Sequence, residues 1–431
     1  MRCSIAALAS AVVLATARRA PARTKRLPTP DAITFARRRL SAVLGSLIAL
    51  GLVMPALGAD ASTPSIGAPN TTPGAVWGWG DADLFGAGGM ALAQAPGLSD
   101  VISLAVGQGD GVADTGYALR EDGTVWAWGT GSDGELGNGA IATYPSLTPV
   151  RVRGLSDVAQ VAGTFGGGYA LEKDGSVWAW GMSSAGELGN GTDAGINDIP
   201  VRVRDLSGAV AIAGGGSDAG DGYAVLRDGT VWAWGAGSDG QLGNGARPSM
   251  SDVPVKVHGL ADAVSVATSA QDGYAVLKNG TVWAWGANNR GQLGDGTQGL
   301  SSDVPVQVHG LSDVAAVAAG VDSDSLIALR KDGTVWHWGA VANFRSSANN
   351  DIPVEVHGLS HVVAITGGYY TEFAILGNGT VWGWGDEEDG ELGNGVHTYA
   401  TVPLMVRGLH GVVAMAGGVA EEFAVVVPPK S

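Results

Sequence analysis

Carboxylates recur along the chain at intervals of about 50 residues, in short stretches that also contain glycine and other small residues. Exposed carboxylates that share one surface attract cations or basic proteins, and aromatic side chains in the same stretches can anchor a protein partner. The residues therefore predict a binding site if the fold brings them together. The alternative is an ordinary solvated surface on an acidic protein. The candidates are Asp114, Phe165, Asp221, Asp272, Asp324, Tyr369, Tyr370, Glu372 and Glu422.

Other groups that could support chemistry are less specific. His258, His309 and His357 occupy one position of a repeated pattern, so they are expected on separate structural units and too far apart to share a metal. Residues 294–299 fit the phosphate-binding pattern G-x-G-x-x-G, but no helix follows to supply an anion-binding N-terminus. The acidic run at residues 386–389 lacks the alternating ligands of a calcium loop. The sequence thus predicts no catalytic residues, no metal and no cofactor, with a hydrolase or lyase as a minor alternative.

Composition indicates a folded acidic protein. The 431 residues include 70 glycines, yet 45% are hydrophobic, and the glycines lack the three-residue period of collagen. The net charge is −16, and the first 58 residues hold nine basic residues against one acidic one, so the rest of the chain is more acidic still. Nucleic acids need cationic surfaces and are poor partners for such a chain. The single cysteine, Cys3, precludes a disulfide framework in the folded part.

The N-terminal segment predicts export. Three arginines at 37–39 precede an apolar stretch at 42–54, and small residues follow up to Ala59, as a signal peptidase requires. We interpret residues 1–58 as an export signal, residues 59–74 as a linker and residues 75–429 as the folded domain. The apolar stretch is too short for a stable membrane span, although a retained anchor stays open. The expected location is secreted or in the cell envelope.

Internal repetition determines the fold prediction. All 14 tryptophans fall into seven Trp-x-Trp pairs, and the mean interval from Trp77 to Trp382 is about 51 residues. Asp-Gly or Asn-Gly precedes six of the pairs, which is typical of a tight β-hairpin turn. A Val/Ala run lies before each hairpin, and a proline-containing extended run follows each glycine-rich loop. Four strands per unit, repeated seven times, predict an all-β, seven-bladed β-propeller of four-stranded antiparallel blades.

Strand order within a blade follows from the residue types. The small-residue run should be innermost, where strands crowd the axis, and the proline-containing run should be the outer edge, because proline cannot donate a ladder hydrogen bond. The chain enters at a third strand, beside Trp77, and leaves after a second strand, beside Phe423. We therefore expect N-terminal and C-terminal strands to share the last blade. Alternation along Trp232-Ala233-Trp234 predicts that the indoles pack against small residues of the neighbouring blade.

Five of the seven units also carry the motif G-[EQ]-L-G after the tryptophan pair. It occurs at 134–137, 186–189, 240–243, 291–294 and 390–393, and it is absent from the unit that contains Trp336. Together with the run 274–286, this motif resembles the regulator-of-chromosome-condensation repeat, over about residues 75 to 427. The resemblance implies a seven-bladed ring. It departs from the family in lacking the frequent histidine before the second strand and in its strongly acidic charge.

The resemblance implies little about activity, because members of the family include exchange factors, photoreceptors, ligase-associated modules and a secreted β-lactamase inhibitor. Our hypothesis is an exported, non-enzymatic propeller that binds a protein or a cell-envelope component. The alternative is a regulator of a small GTPase that resembles guanine-nucleotide exchange factors, and a less favoured one is a secreted enzyme inhibitor. The expected partner is a protein of unknown identity, and the expected state is a monomer.

Overall fold

The fold is seen in a computed structural model, which describes ten stretches of the chain. They are residues 73–80, 92–108, 114–193, 195–215, 220–319, 324–340, 349–385, 390–394, 399–419 and 421–428. The predicted export signal and nearly all of the predicted linker lie outside these residues, as does the acidic run at 386–389. The domain boundaries therefore stay predictions.

The described residues form seven four-stranded antiparallel sheets, so the seven-bladed propeller is confirmed. The first two strands of the chain, β1 (Ala75–Gly80) and β2 (Ala93–Gln94), belong to the last blade, blade VII. Blade I then contains β3 (Val101–Gln108), β4 (Asp114–Arg120), β5 (Val125–Gly129) and β6 (Ser146–Arg151). Blade II contains β7 (Val158–Thr164), β8 (Gly167–Glu172), β9 (Val177–Ser183) and β10 (Gly195–Arg202).

The later blades repeat this order. Blade III contains β11 (Ala209–Gly215), β12 (Asp221–Leu226), β13 (Val231–Ala236) and β14 (Met250–Lys256). Blade IV contains β15 (Ala263–Thr268), β16 (Asp272–Leu277), β17 (Val282–Gly286) and β18 (Ser302–Gln307). Blade V contains β19 (Val314–Ala319), β20 (Ser325–Arg330), β21 (Val335–Ala340) and β22 (Asn349–Val356). Blade VI contains β23 (Val362–Gly367), β24 (Thr371–Leu376), β25 (Val381–Gly385) and β26 (Ala400–Met405). Blade VII is completed by β27 (Val412–Gly417) and β28 (Glu421–Val426).

Ring closure by both ends of the chain is also confirmed. Blade VII has the strand order β2-β1-β28-β27, so the N-terminal strands are the outer pair and the C-terminal strands the inner pair. β1 pairs with β28 along its whole length, from Ala75 opposite Val426 to Gly80 opposite Glu421. The two ends of the folded domain are therefore held in one sheet.

The hairpin turns between second and third strands form as predicted. Gly229 takes a φ of 79°, which glycine adopts without steric cost. The Asp228 carboxylate accepts hydrogen bonds from the Thr230 N–H at 3.0 Å and the Thr230 hydroxyl at 2.7 Å. An Asx turn of this kind fixes the register of the hairpin, and the register places Trp232 and Trp234 on one face of the blade.

The core lies between blades, but its contacts differ from those expected. The second tryptophan of each pair is buried, whereas the first is half-buried toward the periphery, as Trp234 and Trp232 illustrate. Trp234 meets Tyr169 of blade II edge-on, with ring centroids 5.5 Å apart. The indole also lies against Gly189 of the preceding blade, where an added Cβ would lie 2.9 Å from Cδ1, and against Gly222 of its own blade, where an added Cβ would clash with Cε2. The small residues that accommodate the indole are thus two glycines, one in a loop of the preceding blade and one in the neighbouring strand of its own blade, rather than strand alanine.

Candidate partner-binding rim

All the candidate residues lie at one end of the ring. In each blade this end is formed by the hairpin between the first and second strands, and we call the set of these hairpins the inner rim. Asp114, Asp221 and Asp272 begin second strands, Asp324 directly precedes β20, and Glu372 and Glu422 are the second residues of β24 and β28. Phe165, Tyr369 and Tyr370 lie in the hairpins themselves. The topology therefore gathers residues that are far apart in sequence.

The carboxylates nevertheless do not form the exposed ring that the sequence suggested. Asp114, Asp221, Asp272, Glu372 and Glu422 are all buried, and Asp324 alone of the six is half-exposed, with 26% of its side chain accessible. Asp114, Glu372 and Glu422 accept hydrogen bonds from backbone or hydroxyl groups of the adjacent blade. Asp221 and Asp272 accept hydrogen bonds from hydroxyl groups of their own blades. Partner binding by this rim stays a prediction. The five buried carboxylates are not accessible for direct contact with a partner.

At the seam between blades VII and I the carboxylates form reciprocal contacts. The Asp114 carboxylate accepts a hydrogen bond from the Val419 N–H at 2.6 Å, and the Glu421 carboxylate accepts one from the Asp114 N–H at 3.2 Å. Glu422, one residue further, accepts a hydrogen bond from the Thr371 hydroxyl of blade VI at 3.2 Å. Burial raises the pKa of Glu422 well above its ordinary value, and the nearby Glu391 and Asp114 add to the effect. Carboxylates thus stabilise the closing blade on both sides.

Three further aspartates follow one another around blades III, IV and V. Burial raises the pKa of Asp221 and of Asp272 well above the ordinary value, and the charge of Asp324 contributes at Asp272. The Tyr223 hydroxyl donates to Asp221 at 3.3 Å, and the Ser269 hydroxyl donates to Asp272 at 2.8 Å. Asp324 accepts from the Gln292 amide at 3.1 Å and lies 3.5 Å from the Arg290 guanidinium, yet burial still raises its pKa.

Sequence reasoning missed the role of G-[EQ]-L-G. The main-chain carbonyl of its Glu or Gln accepts the indole N–H of the next blade, and the Tyr hydroxyl of its own blade donates to the same oxygen. In blades I and II the acceptors are Glu135 and Glu187, with donor distances of 2.7 to 2.9 Å. The leucine of the motif is buried. The motif therefore joins neighbouring blades, and we call this contact the clamp. Its acceptor is a main-chain oxygen, so the side chains of the motif do not reveal the contact in the sequence.

The aromatic candidates differ from the carboxylates because they stay half-exposed. The rings of Tyr369 and Tyr370 meet edge-on, with centroids 4.0 Å apart and an interplanar angle of 62°, and Tyr370 has a left-handed φ of 56°. The Tyr369 N–H donates to the Gly418 carbonyl of blade VII at 2.8 Å, which fixes the hairpin against its neighbour. Phe165 lies in the equivalent hairpin of blade II, where the Gly166 N–H donates to the Gln108 carbonyl at 2.8 Å. These rings are the accessible large side chains among the candidates.

Metal-binding and membrane-spanning features were also sought. Among the described residues, no three His, Cys, Asp or Glu side chains are grouped so as to hold a metal ion. His258, His309 and His357 each follow the outer strand of a different blade, as predicted. Within those same residues there is no helix of sufficient length and apolarity to cross a bilayer.

Comparison with known proteins identifies the repeat. The family model "Regulator of chromosome condensation (RCC1) repeat" matches residues 122–167, 174–217, 228–273 and 279–323. Four consecutive segments, together less than half of the chain, thus match the RCC1 repeat. Similar curated proteins include the human E3 ubiquitin-protein ligase HERC2, 30% identical over 254 residues, a match that covers 56% of this chain and 5% of HERC2. The mitochondrial RCC1 domain-containing protein RUG3 of Arabidopsis thaliana is 30% identical over 186 residues, covering 41% of this chain and 40% of RUG3. The chain thus spans well under two thirds of these relatives.

Solved structures of other proteins share the fold. Prp20p from Saccharomyces cerevisiae superposes with a TM-score of 0.69 at 21% identity, covering 84% of this chain and 93% of Prp20p. Human WBSCR16 superposes with a TM-score of 0.69 at 22% identity, covering 82% of this chain and all of the other. The superpositions show that the three proteins share one fold. At this low identity, no binding residue of either protein can be transferred to this chain.

Proposed function

We propose that this protein is an exported, monomeric, non-enzymatic RCC1-repeat propeller that binds another protein or a cell-envelope component through its inner rim. The observation that carries the proposal is the edge-on pair Tyr369 and Tyr370, which is half-exposed on a hairpin held by the adjacent blade. Rigid aromatic side chains bind partners at a low cost in conformational entropy. The Saccharomyces cerevisiae relative Prp20p is described as binding Gsp1p and histones, which supports protein binding by a ring of this type.

Export rests on the arginine-led apolar segment within residues 1–58. Fractionation of cells that express the full chain should place a shortened protein outside the cytoplasm. A full-length protein confined to the cytosol would contradict export. Ubiquitin ligase activity is not carried over from HERC2, because the match covers only 5% of that protein.

The binding proposal is tested with paired variants of the exported domain. Purified wild type, Tyr369→Ala with Tyr370→Ala, and Tyr144→Ala are immobilised and exposed to an extract of the cell envelope and culture fluid. Tyr144 is the matched control, because it is 81% exposed and lies outside the inner rim. We expect components that bind wild type and Y144A to be lost from the double variant. Equal capture by all three proteins would refute the inner rim as the binding face.

A second candidate is a small-GTPase regulator that acts like a guanine-nucleotide exchange factor, favoured by the structural similarity to Prp20p. It predicts a cytosolic protein that accelerates nucleotide release from a small GTPase. A fluorescent-nucleotide release assay separates the two candidates, and the same preparation can be assayed for inhibition of a β-lactamase, which tests the inhibitor alternative. No acceleration, together with extracellular localisation, favours the exported binding module.

A further inference from the structure

The seam between blades V and VI lacks the clamp that joins five other pairs of neighbouring blades. At those five seams the buried indole N–H donates to a Glu or Gln main-chain carbonyl of the preceding blade, in the pairs Trp180–Glu135, Trp234–Glu187, Trp285–Gln241, Trp338–Gln292 and Trp79–Glu391. Blade V has no G-[EQ]-L-G motif in its sequence. Trp384 of blade VI donates instead to the carboxylate of Glu372 in its own blade.

The Glu372 carboxylate also reaches across the seam. Its Oε1 accepts a hydrogen bond from the Ser325 hydroxyl of blade V, and its Oε2 lies 3.7 Å from Nδ1 of His337, also in blade V. Glu372 and Ser325 are buried, whereas the His337 side chain remains 20% exposed. We call Ser325, His337, Glu372 and Trp384 the V/VI tie. It replaces a neutral main-chain contact with one that contains a carboxylate and an imidazole.

His337 distinguishes blade V from the others. The residue between the paired tryptophans is alanine or glycine in the six other units. Burial alone lowers the pKa of His337, but the interaction with the Glu372 carboxylate outweighs burial, so the pKa is raised above its ordinary value. The ordinary pKa of histidine lies near neutral pH, where a change in its charge can act as a switch.

The groups around the imidazole come from its own sheet and from blade VI. On its own sheet His337 lies opposite Ile327 of β20 and Val354 of β22. From blade VI, β24 contributes Glu372, and Trp384 of β25 binds the same carboxylate. The pair His357 and Glu355, 3.9 Å apart, lies at the C-terminal end of β22, where Glu355 is opposite Trp336 and His357 is exposed. Within the described stretches, Glu372 is thus the charged group that faces His337.

The V/VI tie adjoins the proposed binding face. Tyr369 and Tyr370 precede Thr371 and Glu372 directly in the chain. One side of this hairpin is held by the hydrogen bond from Tyr369 to Gly418 of blade VII, and the other side is held by the contacts of Glu372 with blade V. A change in charge at His337 alters one of these two attachments.

We propose that the protonation of His337 determines how firmly blade V holds the hairpin that carries Tyr369 and Tyr370, and so regulates the binding face. Charged imidazole strengthens the tie through its attraction to Glu372, and neutral imidazole weakens it. The effect on partner binding rests on the proposed function. The effect of His337 protonation on the hairpin does not depend on any partner. The regulation would make partner binding tighter at mildly acidic than at mildly alkaline pH.

The test follows the ring NMR signals of labelled Tyr369 and Tyr370, assigned with Tyr369→Phe and Tyr370→Phe, between about pH 5 and about pH 8.5. Wild type should show one titration in these signals. His337→Ala should abolish it, and the variant should fold, since alanine or glycine occupies this position in the other units. Glu372→Gln should abolish it as well, while His357→Ala, the matched exposed imidazole of the same blade, should retain it.

The proposal is overturned if the wild-type signals do not titrate, or if H337A titrates like wild type. It is also overturned if H357A, and not H337A, removes the transition. Because the readout needs no partner, loss of capture in the Y369A/Y370A double variant and loss of titration in H337A are separate outcomes. The proposed binding face can therefore be refuted while the titration of His337 is confirmed, and the titration can be refuted while the binding face is confirmed.

Discussion

At the scale of single residues, the two tryptophans of each pair have different roles, although they share one strand and one face. Trp234 is fully buried and donates its indole N–H to the Glu187 carbonyl at 2.9 Å, whereas Trp232 is half-buried. We expect Trp234→Ala to lower the free energy of unfolding by about 3–5 kcal/mol, and Trp232→Ala, the control, to lower it by clearly less. Urea unfolding monitored by circular dichroism measures both. Equal losses would show that burial between blades does not govern the contribution of the indole.

A second residue-scale prediction concerns the last glycine of the clamp motif. Gly243 has a φ of 58°, and an added Cβ would lie 2.8 Å from Cδ1 of Trp285. Gly259 has a φ of 72° but no atom within 4 Å of the added Cβ. Gly259→Ala should therefore cost only the left-handed strain, about 1–2 kcal/mol, and Gly243→Ala should cost about 1–3 kcal/mol more through displacement of the indole. Matching denaturation midpoints for the two variants would contradict the steric role of the clamp.

At the scale of elements, closure of the ring depends on β1. Deletion of residues 2–80 removes the strand that pairs with β28 from Ala75 to Gly80, and it exposes the unpaired edge of β28. It also removes Trp79, whose N–H donates to the Glu391 carbonyl at 2.7 Å. We expect this variant to lose cooperative unfolding in calorimetry, whereas deletion of residues 2–58 should retain it. A sharp calorimetric transition in the variant that lacks residues 2–80 would mean that six complete blades are sufficient for cooperative folding.

The elements were predictable because their signals lie in side chains and turns. Asp228-Gly229 predicts a hairpin through local chemistry, Pro254 predicts an edge strand through its missing donor, and Trp232-Ala233-Trp234 predicts a face through alternation. The clamp was not predictable, since its acceptor is a main-chain carbonyl that every residue possesses. Burial of the rim carboxylates was also missed, because an acidic residue in a loop looks the same whether it faces water or a neighbouring blade. The available signal was positional, since Glu372 and Glu422 stand where Gly222 and Gly273 stand in other blades.

At the scale of the whole molecule, the blades are joined by two kinds of contact with different responses to pH. Neutral indole clamps join neighbouring blades from I to V and also blades VI and VII. Carboxylates accept hydrogen bonds across the seams V/VI, VI/VII and VII/I. The carboxyl groups of Asp221, Asp272 and Glu422 have raised pKa values because they are buried. Above the ordinary carboxyl pKa the unfolded chain has released these protons while the folded chain retains them, so the free energy of unfolding falls as pH rises toward the folded pKa values.

The remaining titrating groups set the shape of the profile. The raised pKa of His337 acts in the same direction, because its stabilisation is complete below the unfolded pKa and is lost as pH rises through the folded one. The turn aspartates Asp174 and Asp228 have lowered pKa values, owing to hydrogen bonds from Ser176 and Thr230, so their stabilisation is lost as pH falls. We therefore expect greatest resistance to urea at mildly acidic pH, with a decline toward neutral and alkaline pH. Asp272→Asn should flatten that decline, whereas Asp157→Asn, at an exposed surface position, should leave it unchanged. A midpoint that rises steadily from acidic to neutral pH would show that the buried carboxyl groups ionise without cost, and the carboxylate seams would then be no different from the neutral ones.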